Sequence, residues 1–323
     1  MAQPVVLALA ALAVLLFVPA LTGALSFIEN LRLGQTERQR ALLGGWLAAG
    51  LARAFCNSIW TFWLTMLALP LGRLMGFCRS GRPASGGGRP PVILVHGLYH
   101  NPAAWFVMRA RLMRAGFADV RCYGYPSFGR GFADIAAGLA EQLLAAARDS
   151  GEGTGGRVLL LGHSLGGLVI RAACADARVC ASGVRVAGVV TLGAPHQGST
   201  LAGMLGIGRL ARGLAPGGEV LRALRALVQA AESARPAQTC APWLSLFTPT
   251  DGMVLPLSGA LIGEAERRAG WVERALPAMS HVGLLYSGAA AREALAFLSA
   301  CSARGGVAGS SKEESRRVAP TAS

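Results

Sequence analysis

The sequence has few charged residues. Only 15% of its 323 residues are Asp, Glu, Lys or Arg, and one lysine, Lys312, accompanies the arginines. A typical soluble domain has roughly 25% charged residues, so part of the chain is expected to lie in lipid. The formal net charge of +14 comes from scattered rather than clustered arginines. This scatter argues against a nucleic-acid partner and favours attraction to anionic lipid headgroups.

The first 28 residues contain no charge. The run MAQPVVLALAALAVLLFVPALTGALSFI exceeds the roughly 20 residues that a helix needs to cross a bilayer. A cleaved signal peptide would begin with a positively charged segment, but no Lys or Arg precedes this run. A second apolar stretch at 54–72 is also long enough, with Trp60 and Trp63 placed for an interface. The sequence therefore predicts a membrane-anchoring region at 1–78 with two transmembrane helices.

The arginines beside these spans favour one orientation weakly. Arg32, Arg38 and Arg40 lie between the two spans, which favours a cytoplasmic loop and an external C-terminal part. Further arginines follow the second span and weaken this bias: Arg73, Arg79, Arg82 and Arg89.

The rest of the chain divides by composition. Gly, Ser, Pro and Arg dominate 79–90, which is typical of a flexible linker. The tail at 302–323 has almost nothing to bury and is expected to be disordered. Between them, 91–301 has the size of one domain.

Strand-like and helix-like segments alternate within that domain. Apolar runs typical of buried parallel strands occur at six places, the last of them weaker: 92–97, 119–125, 157–162, 184–193, 243–248 and 271–276. Segments with helical apolar spacing, such as 132–148, separate them. This alternation predicts an α/β fold with a parallel sheet covered by helices on both faces. Chemistry in such folds gathers beyond the carboxyl ends of the strands.

One serine lies where the third strand turns into a helix. The stretch VLLLGHSLGGL at 158–168 places Ser164 between Gly162 and Gly166. A turn this sharp exposes the hydroxyl, and it needs glycine on both sides because neighbouring turns leave no room for a Cβ. The helix N-terminus also directs N–H groups at developing negative charge. Ser164 is therefore the candidate nucleophile, with chance occurrence in a chain of 43 glycines as the alternative.

A nucleophilic serine needs a base that is oriented by an acid. His281 lies in a loop after the last strand, where the expected order of serine, acid and histidine places the base. Three other histidines lie at or near the ends of strands and are better explained as structural or pocket-lining residues: His96, His163 and His196.

The candidate acid is Asp251, which follows the fifth strand in LSLFTPTDGMV and is the last aspartate of the chain. Glu264 and Glu266 fit a solvated helix face, and Glu273 lies within a strand. A turn-forming role for Asp251 before Gly252 is the alternative.

Two backbone N–H groups are expected to form an oxyanion hole. The first belongs to Leu165, directly after the nucleophile. The second belongs to Leu98, because Gly97 permits the necessary turn after the first strand. Tyr99 and His163 are the neighbouring candidates for substrate binding.

Five motifs in order resemble those of bacterial lipases and esterases of the α/β-hydrolase fold: PVILVHGLYHN, LLLGHSLGGLV, TLGAPHQGS, TPTDGMV and SHVGLL. The resemblance covers most of 91–300. It implies a triad of Ser164, Asp251 and His281, with the amides of Leu98 and Leu165 as oxyanion donors. It also implies a compact, mostly parallel sheet of about six strands, without the two leading strands of the full fold.

The implied activity is that of a serine hydrolase, a lipase or esterase that cleaves carboxylic esters through an acyl-enzyme, with no metal or organic cofactor. Thioesterase, phospholipase and acyltransferase activities use the same machinery, and a non-catalytic membrane-tethered scaffold is the alternative from another class. The expected partners are an ester or lipid substrate and the membrane, with no nucleic acid and with the oligomeric state left open. The expected location is a bacterial inner membrane with the catalytic domain in the periplasm.

Two further features leave alternatives open. The insertion at 197–242 fits a lid, an acyl-pocket wall or an amphipathic crossing helix. Cys180 and Cys240 precede the fourth and fifth strands. Neighbouring strands lie about 4.8 Å apart, within the roughly 4.4–6.8 Å between Cα atoms that a disulfide needs. A bond and two free thiols are equally compatible with the sequence.

Overall fold

The computed structural model describes residues 2–74, 89–149, 156–234 and 241–304. At its centre is a six-stranded sheet in the order β2-β1-β3-β4-β5-β6, in which every neighbouring pair is parallel. The strands are β1 (Val92–Val95), β2 (Val120–Tyr123), β3 (Arg157–His163), β4 (Arg185–Leu192), β5 (Trp243–Phe247) and β6 (Val272–Ala275).

Helices cover both faces of this sheet. Before the sheet, the chain forms α1 (Ala2–Arg32), α2 (Thr36–Leu42) and α3 (Leu47–Leu74), which we call the N-terminal helices. The helices that follow β1 to β3 are a 3₁₀ turn (Pro102–Trp105), α4 (Phe106–Arg114), α5 (Phe132–Asp149), α6 (Leu165–Cys174) and α7 (Ala177–Ala181). The later helices are α8 (Thr200–Leu205), α9 (Arg209–Gly213), α10 (Glu219–Ala234), α11 (Leu257–Ala260), α12 (Glu264–Arg268), α13 (Gly283–Tyr286) and α14 (Gly288–Ala303).

Alternate side chains of the strands enter two separate cores, as the period of two in a strand requires. In β1, Ile93 and Val95 pack with α5, α6 and α10. Val92 and Leu94 pack on the opposite face with α4 and α14. All four side chains are fully buried, which explains why β1 is an unbroken apolar run.

The strand register aligns the carboxyl ends of the central strands. Val95 at the end of β1 pairs with Gly162, and His163 at the end of β3 pairs with Leu192 at the end of β4. The segments that leave these strands therefore begin side by side at one edge of the sheet.

The N-terminal helices pack against this domain through polar side chains. Ser26, Asn30 and Gln39 are buried, and so are Thr61 and Thr65 of α3. Within the described residues, no single helix is both long and apolar enough to cross a membrane. Leu16–Arg32 together with Thr36–Leu42 meets that test only as a pair bent by 113°. The two transmembrane helices therefore remain a prediction.

The other sequence predictions have mixed outcomes. The six-stranded parallel sheet is confirmed. Of the two alternatives left open for Cys180, the structure shows the free thiol: Cys180 lies on α7, where its Sγ contacts the Cys174 carbonyl oxygen at 3.5 Å, and position 240 lies outside the described residues. Most of the predicted linker at 79–90 and of the tail at 302–323 lies outside the described residues.

Candidate active site

Ser164 forms the turn between β3 and α6. Its backbone has φ 53° and ψ −126°, and its hydroxyl does not cap the helix. Among the described residues other than glycine, only Tyr99 shares a positive φ. Such conformations cost energy and concentrate at functional sites. The half-buried Ser164 hydroxyl is therefore held above the sheet edge rather than used within the helix.

The flanking glycines make this turn possible. A Cβ at Gly162 would lie 2.8 Å from the carbonyl carbon of Gly166 and 2.7 Å from Cδ1 of Ile170. A Cβ at Gly166 would overlap the carbonyl oxygen of Val95 and lie 2.6 Å from that of His96. The space for both glycines is closed mainly by backbone, which cannot rotate away, so the sequence reasoning about the two positions agrees with the structure.

Asp251 and His281 are in direct contact. The Nδ1 of His281 lies 2.7 Å from Oδ2 of Asp251, and both side chains are buried. The other carboxylate oxygen, Oδ1, accepts hydrogen bonds from the N–H groups of Met253 at 2.8 Å and Val254 at 2.9 Å. Asp251 therefore forms a turn and contacts His281 with different oxygens, so the two roles that the sequence offered occur together.

Two threonines that the sequence did not reveal join the loops of the acid and the base. We call residues 248–254, which carry Asp251, the acid loop, and residues 276–282, which carry His281, the base loop. The hydroxyl of Thr250 donates to the carbonyl oxygen of Met279 at 3.0 Å, and that of Thr248 contacts the carbonyl oxygen of Pro277 at 3.1 Å. Both threonines are buried. The two threonines of the TPTD motif were the available signal.

His163 connects the serine turn to the base loop. Its Nε2 lies 3.2 Å from the carbonyl oxygen of His281, and the two imidazole rings are 4.6 Å apart between centroids. A Cβ at Gly97 would lie 2.9 Å from Cβ of Ser164, and one at Gly193 would lie 3.2 Å from Nδ1 of His281. The structure thus brings all three candidate triad residues to one edge of the sheet, where a hydrogen bond joins Asp251 and His281.

Burial keeps the neighbouring histidines neutral. Burial lowers the pKa of His163 well below its usual value, and the nearby His281 and His100 add to this effect. His96 stacks on Tyr125 with ring centroids 4.3 Å apart, and burial lowers the pKa of His96 to about 4. Its Nε2 accepts the Tyr125 N–H at 3.2 Å, so Nδ1–H donates to the Gly97 carbonyl oxygen at 2.8 Å. His96 therefore shapes the turn at Gly97.

His196 belongs to a separate buried cluster. Its Nε2 lies 3.2 Å from the hydroxyl of Thr191 and 3.1 Å from that of Ser245. Its Nδ1 lies 3.4 Å from the guanidinium of Arg171, which is paired with Glu266. Burial lowers the pKa of His196 well below its usual value. Through these contacts His196 connects β4 to β5 and α6.

The candidate oxyanion donors lie at the serine turn and beside it. Leu165 is the first residue of α6, so its N–H has no acceptor within the helix. Leu98 follows β1 and precedes Tyr99, whose backbone has φ 59°. The Tyr99 hydroxyl donates to the carbonyl oxygen of Ile207 at 2.5 Å and accepts its N–H at 3.1 Å. Tyr99 thus connects the Leu98 turn to the insertion after β4.

Exposed apolar side chains surround this edge of the sheet. Tyr99 stacks on Phe128 with centroids 5.6 Å apart, and Ile207 is 71% exposed. Met204, Leu205 and Met253 are exposed as well. By contrast, α10 buries Val220, Leu221 and Leu224, as an amphipathic helix packed on the domain does. The rim of the site therefore suits an apolar group.

No group of three or more His, Cys, Asp or Glu side chains within the described residues is arranged to hold a metal ion.

Comparison with known proteins agrees with this architecture. The pattern of the Alpha/beta hydrolase family matches residues 92–305, and the chain belongs to that family. Lipase B of Aspergillus fumigatus has a similar structure, with a TM-score of 0.55 and 20% identity over 68% of this chain. The chain spans only 55% of that lipase.

A second similar structure is the mature lipase BlEst2 of Bacillus licheniformis. Its TM-score is 0.50 at 20% identity, over 70% of this chain and 98% of the lipase. No curated protein matches the sequence. At these identities the structural likeness establishes the fold, and the reaction has to be argued from the site.

Proposed function

We propose that the protein is a serine hydrolase that cleaves carboxylic esters through an acyl-enzyme. The observation that carries this proposal is the 2.7 Å contact between Asp251 and His281, at the same sheet edge as the strained turn of Ser164. Ser164 has a φ of 53°, and the glycines on both sides leave no room for a Cβ. A chain keeps so strained a turn where the serine hydroxyl has a functional role.

Each residue has a definite role in this mechanism. His281 takes the proton of Ser164 as its Oγ attacks the ester carbonyl. Asp251 holds the proton of His281 on Nδ1 and stabilises the imidazolium that forms. The amides of Leu98 and Leu165 receive the negative charge of the tetrahedral intermediate. The alcohol leaves with the proton from His281, and water then hydrolyses the acyl-enzyme.

The exposed apolar rim supports an apolar acyl chain as the group that enters the site. Tyr99, Phe128 and Ile207 present contiguous apolar surface beside the Leu98 turn. Burial of each methylene of an acyl chain contributes about 0.8 kcal/mol. Activity is therefore expected to rise with chain length until the apolar surface is covered.

The direct test is hydrolysis of p-nitrophenyl esters of graded chain length by the full chain in detergent micelles, with Ser164→Ala as the matched control. The proposal predicts a rate about 10³-fold or more above that of the variant. Thioesters tested in parallel would show whether the acyl group rather than the leaving oxygen sets specificity. Equal rates for wild type and Ser164→Ala would contradict the proposal.

We also propose that the N-terminal helices anchor the protein in a bacterial inner membrane, with the catalytic domain in the periplasm. The charge-free run at the N-terminus supports anchoring. Cys122 is disulfide-bonded, which supports an oxidising compartment for the domain.

Washing membranes distinguishes anchoring from surface attraction. Burial of apolar helices does not depend on charge, so the full chain should stay with membranes through high salt and carbonate and be released by detergent. Release by salt alone would show that the net positive charge holds the protein at the surface.

A further inference from the structure

We propose that the N-terminal helices are part of the catalytic apparatus, with Asn57 and Ser26 as positioning residues for the loops that carry His281 and Asp251. This inference rests on the proposed function, because it assigns these helices a role in aligning the same triad. It goes beyond membrane anchoring, since it makes the geometry of the acid and the base depend on a distant part of the chain.

Asn57 of α3 holds the base loop. Its Oδ1 accepts the N–H of Ser280 at 2.9 Å and the hydroxyl of Ser280 at 2.8 Å. The Ser280 oxygen in turn accepts the N–H of Gly283 at 3.0 Å and lies 3.0 Å from the hydroxyl of Thr61. Ser280 is buried and directly precedes His281. One side-chain oxygen of α3 therefore accepts both hydrogen-bond donors of the residue next to the base.

Ser26 of α1 holds the acid loop at Asp251 itself. Its hydroxyl donates to the main-chain carbonyl oxygen of Asp251 at 2.8 Å, and both residues are buried. Gln39 of α2 donates from Nε2 to the carbonyl oxygen of Pro249 at 2.8 Å, two residues earlier in the same loop. The acid and the base are thus each restrained by a hydrogen bond from a different N-terminal helix.

These two loops need such restraint because no strand ladder fixes them. The base loop, 276–282, runs between β6 and α13 and contains no helix or strand, and the acid loop follows β5 in the same way. The Thr248 and Thr250 hydroxyls join the two loops to each other. The base loop meets the strands at two points: the Leu276 N–H donates to the Phe247 carbonyl oxygen at 2.7 Å, and the His281 carbonyl oxygen lies 3.2 Å from Nε2 of His163. A misplacement of roughly 1 Å in a catalytic group costs about 100-fold in rate. Hydrogen bonds from rigid helices prevent such shifts.

The same interface contains a matched control. Gln35 accepts the N–H of Ser258 with Oε1 and donates to its hydroxyl with Nε2, each at 2.8 Å. Ser258 lies in α11, outside the acid and base loops. Gln35 therefore makes two hydrogen bonds between the N-terminal helices and the domain, as Asn57 does, but without contact to either loop.

The experiment compares three variants of the full chain in detergent micelles: Asn57→Leu, Asn57→Asp and Gln35→Met. Leucine removes the acceptor at similar volume, whereas aspartate keeps an oxygen for both Ser280 donors. We expect Asn57→Leu to lose about 10- to 100-fold in kcat with KM changed less than twofold. Asn57→Asp should recover most of kcat, and Gln35→Met should keep it. Rates are expressed per folded molecule, with the folded fraction taken from thermal unfolding.

A second measurement does not require turnover. The proton between Asp251 and His281 should give a downfield NMR resonance in wild type and in Gln35→Met, and this resonance should be lost or broadened in Asn57→Leu. Wild-type kcat and an unchanged resonance in Asn57→Leu would overturn the inference, as would an equal loss in Gln35→Met. A wild type without esterase activity contradicts the proposed function, while the resonance still decides whether Asn57 positions His281.

Discussion

Substitution of Asp251 by Asn separates the chemical role of this residue from its structural one. Oδ1 accepts the N–H groups of Met253 and Val254, and Oδ2 contacts Nδ1 of His281. An asparagine keeps the Oδ1 acceptor but places an NH₂ group opposite Nδ1. His281 must then carry its proton on Nε2, where it cannot accept the proton of Ser164.

The magnitudes follow from this geometry. A histidine held in the wrong tautomer lowers kcat by about 10⁴-fold, or roughly 5 kcal/mol in activation free energy. Since Asn keeps both turn hydrogen bonds, Asp251→Asn should unfold at nearly the wild-type urea concentration. Asp251→Ala removes the acceptor of two buried N–H groups, each at a cost of about 1–3 kcal/mol, so its free energy of unfolding should fall by about 2–6 kcal/mol.

Ester hydrolysis and urea unfolding of both variants provide the assay. We expect both to be inactive, with only Asp251→Ala destabilised. A kcat for Asp251→Asn within tenfold of wild type would refute the reasoning about the tautomer. A wild-type unfolding midpoint for Asp251→Ala would refute the structural role of Oδ1.

Two further predictions concern the rest of the site. Burial keeps His96, His163 and His196 neutral, with the pKa of His96 lowered to about 4, whereas the unfolded chain takes up protons below pH of about 6.5. The free energy of unfolding is therefore at its full value above that pH and falls towards pH 4 by roughly 1 kcal/mol per pH unit for each histidine. Urea midpoints that do not change between pH 7 and pH 5 would contradict this prediction. A Cβ at position 166 meets backbone, so Gly166→Ala should lose activity and at least about 2 kcal/mol of stability. Gly203→Ala, in α8, would place its Cβ 3.4 Å from that of Ala215 and should leave both activity and stability nearly unchanged.

The sheet and the serine turn could be predicted because their signals are local. Buried parallel strands are unbroken apolar runs, so the predicted 157–162 and 243–248 agree with β3 and β5 to within one residue at either end. The pattern around Ser164 specifies its own backbone, since the two glycines are required within five residues of sequence.

The docking of the N-terminal helices could not be predicted because it joins distant residues. Ser26 and Asp251 are 225 positions apart, and Asn57 and Ser280 are 223 apart. In an apolar run, Ser26 and Asn57 look like minor interruptions of a membrane span, and only the folded chain shows their partners.

The most direct test of the account is covalent labelling of the full chain with a fluorophosphonate, followed by identification of the modified residue by mass spectrometry. The reagent reacts with a serine only when a base activates its hydroxyl. The account predicts labelling at Ser164 that Asp251→Asn slows strongly and that Ser164→Ala abolishes. Absence of labelling at Ser164 in a folded chain, or labelling that persists in Ser164→Ala, would contradict it.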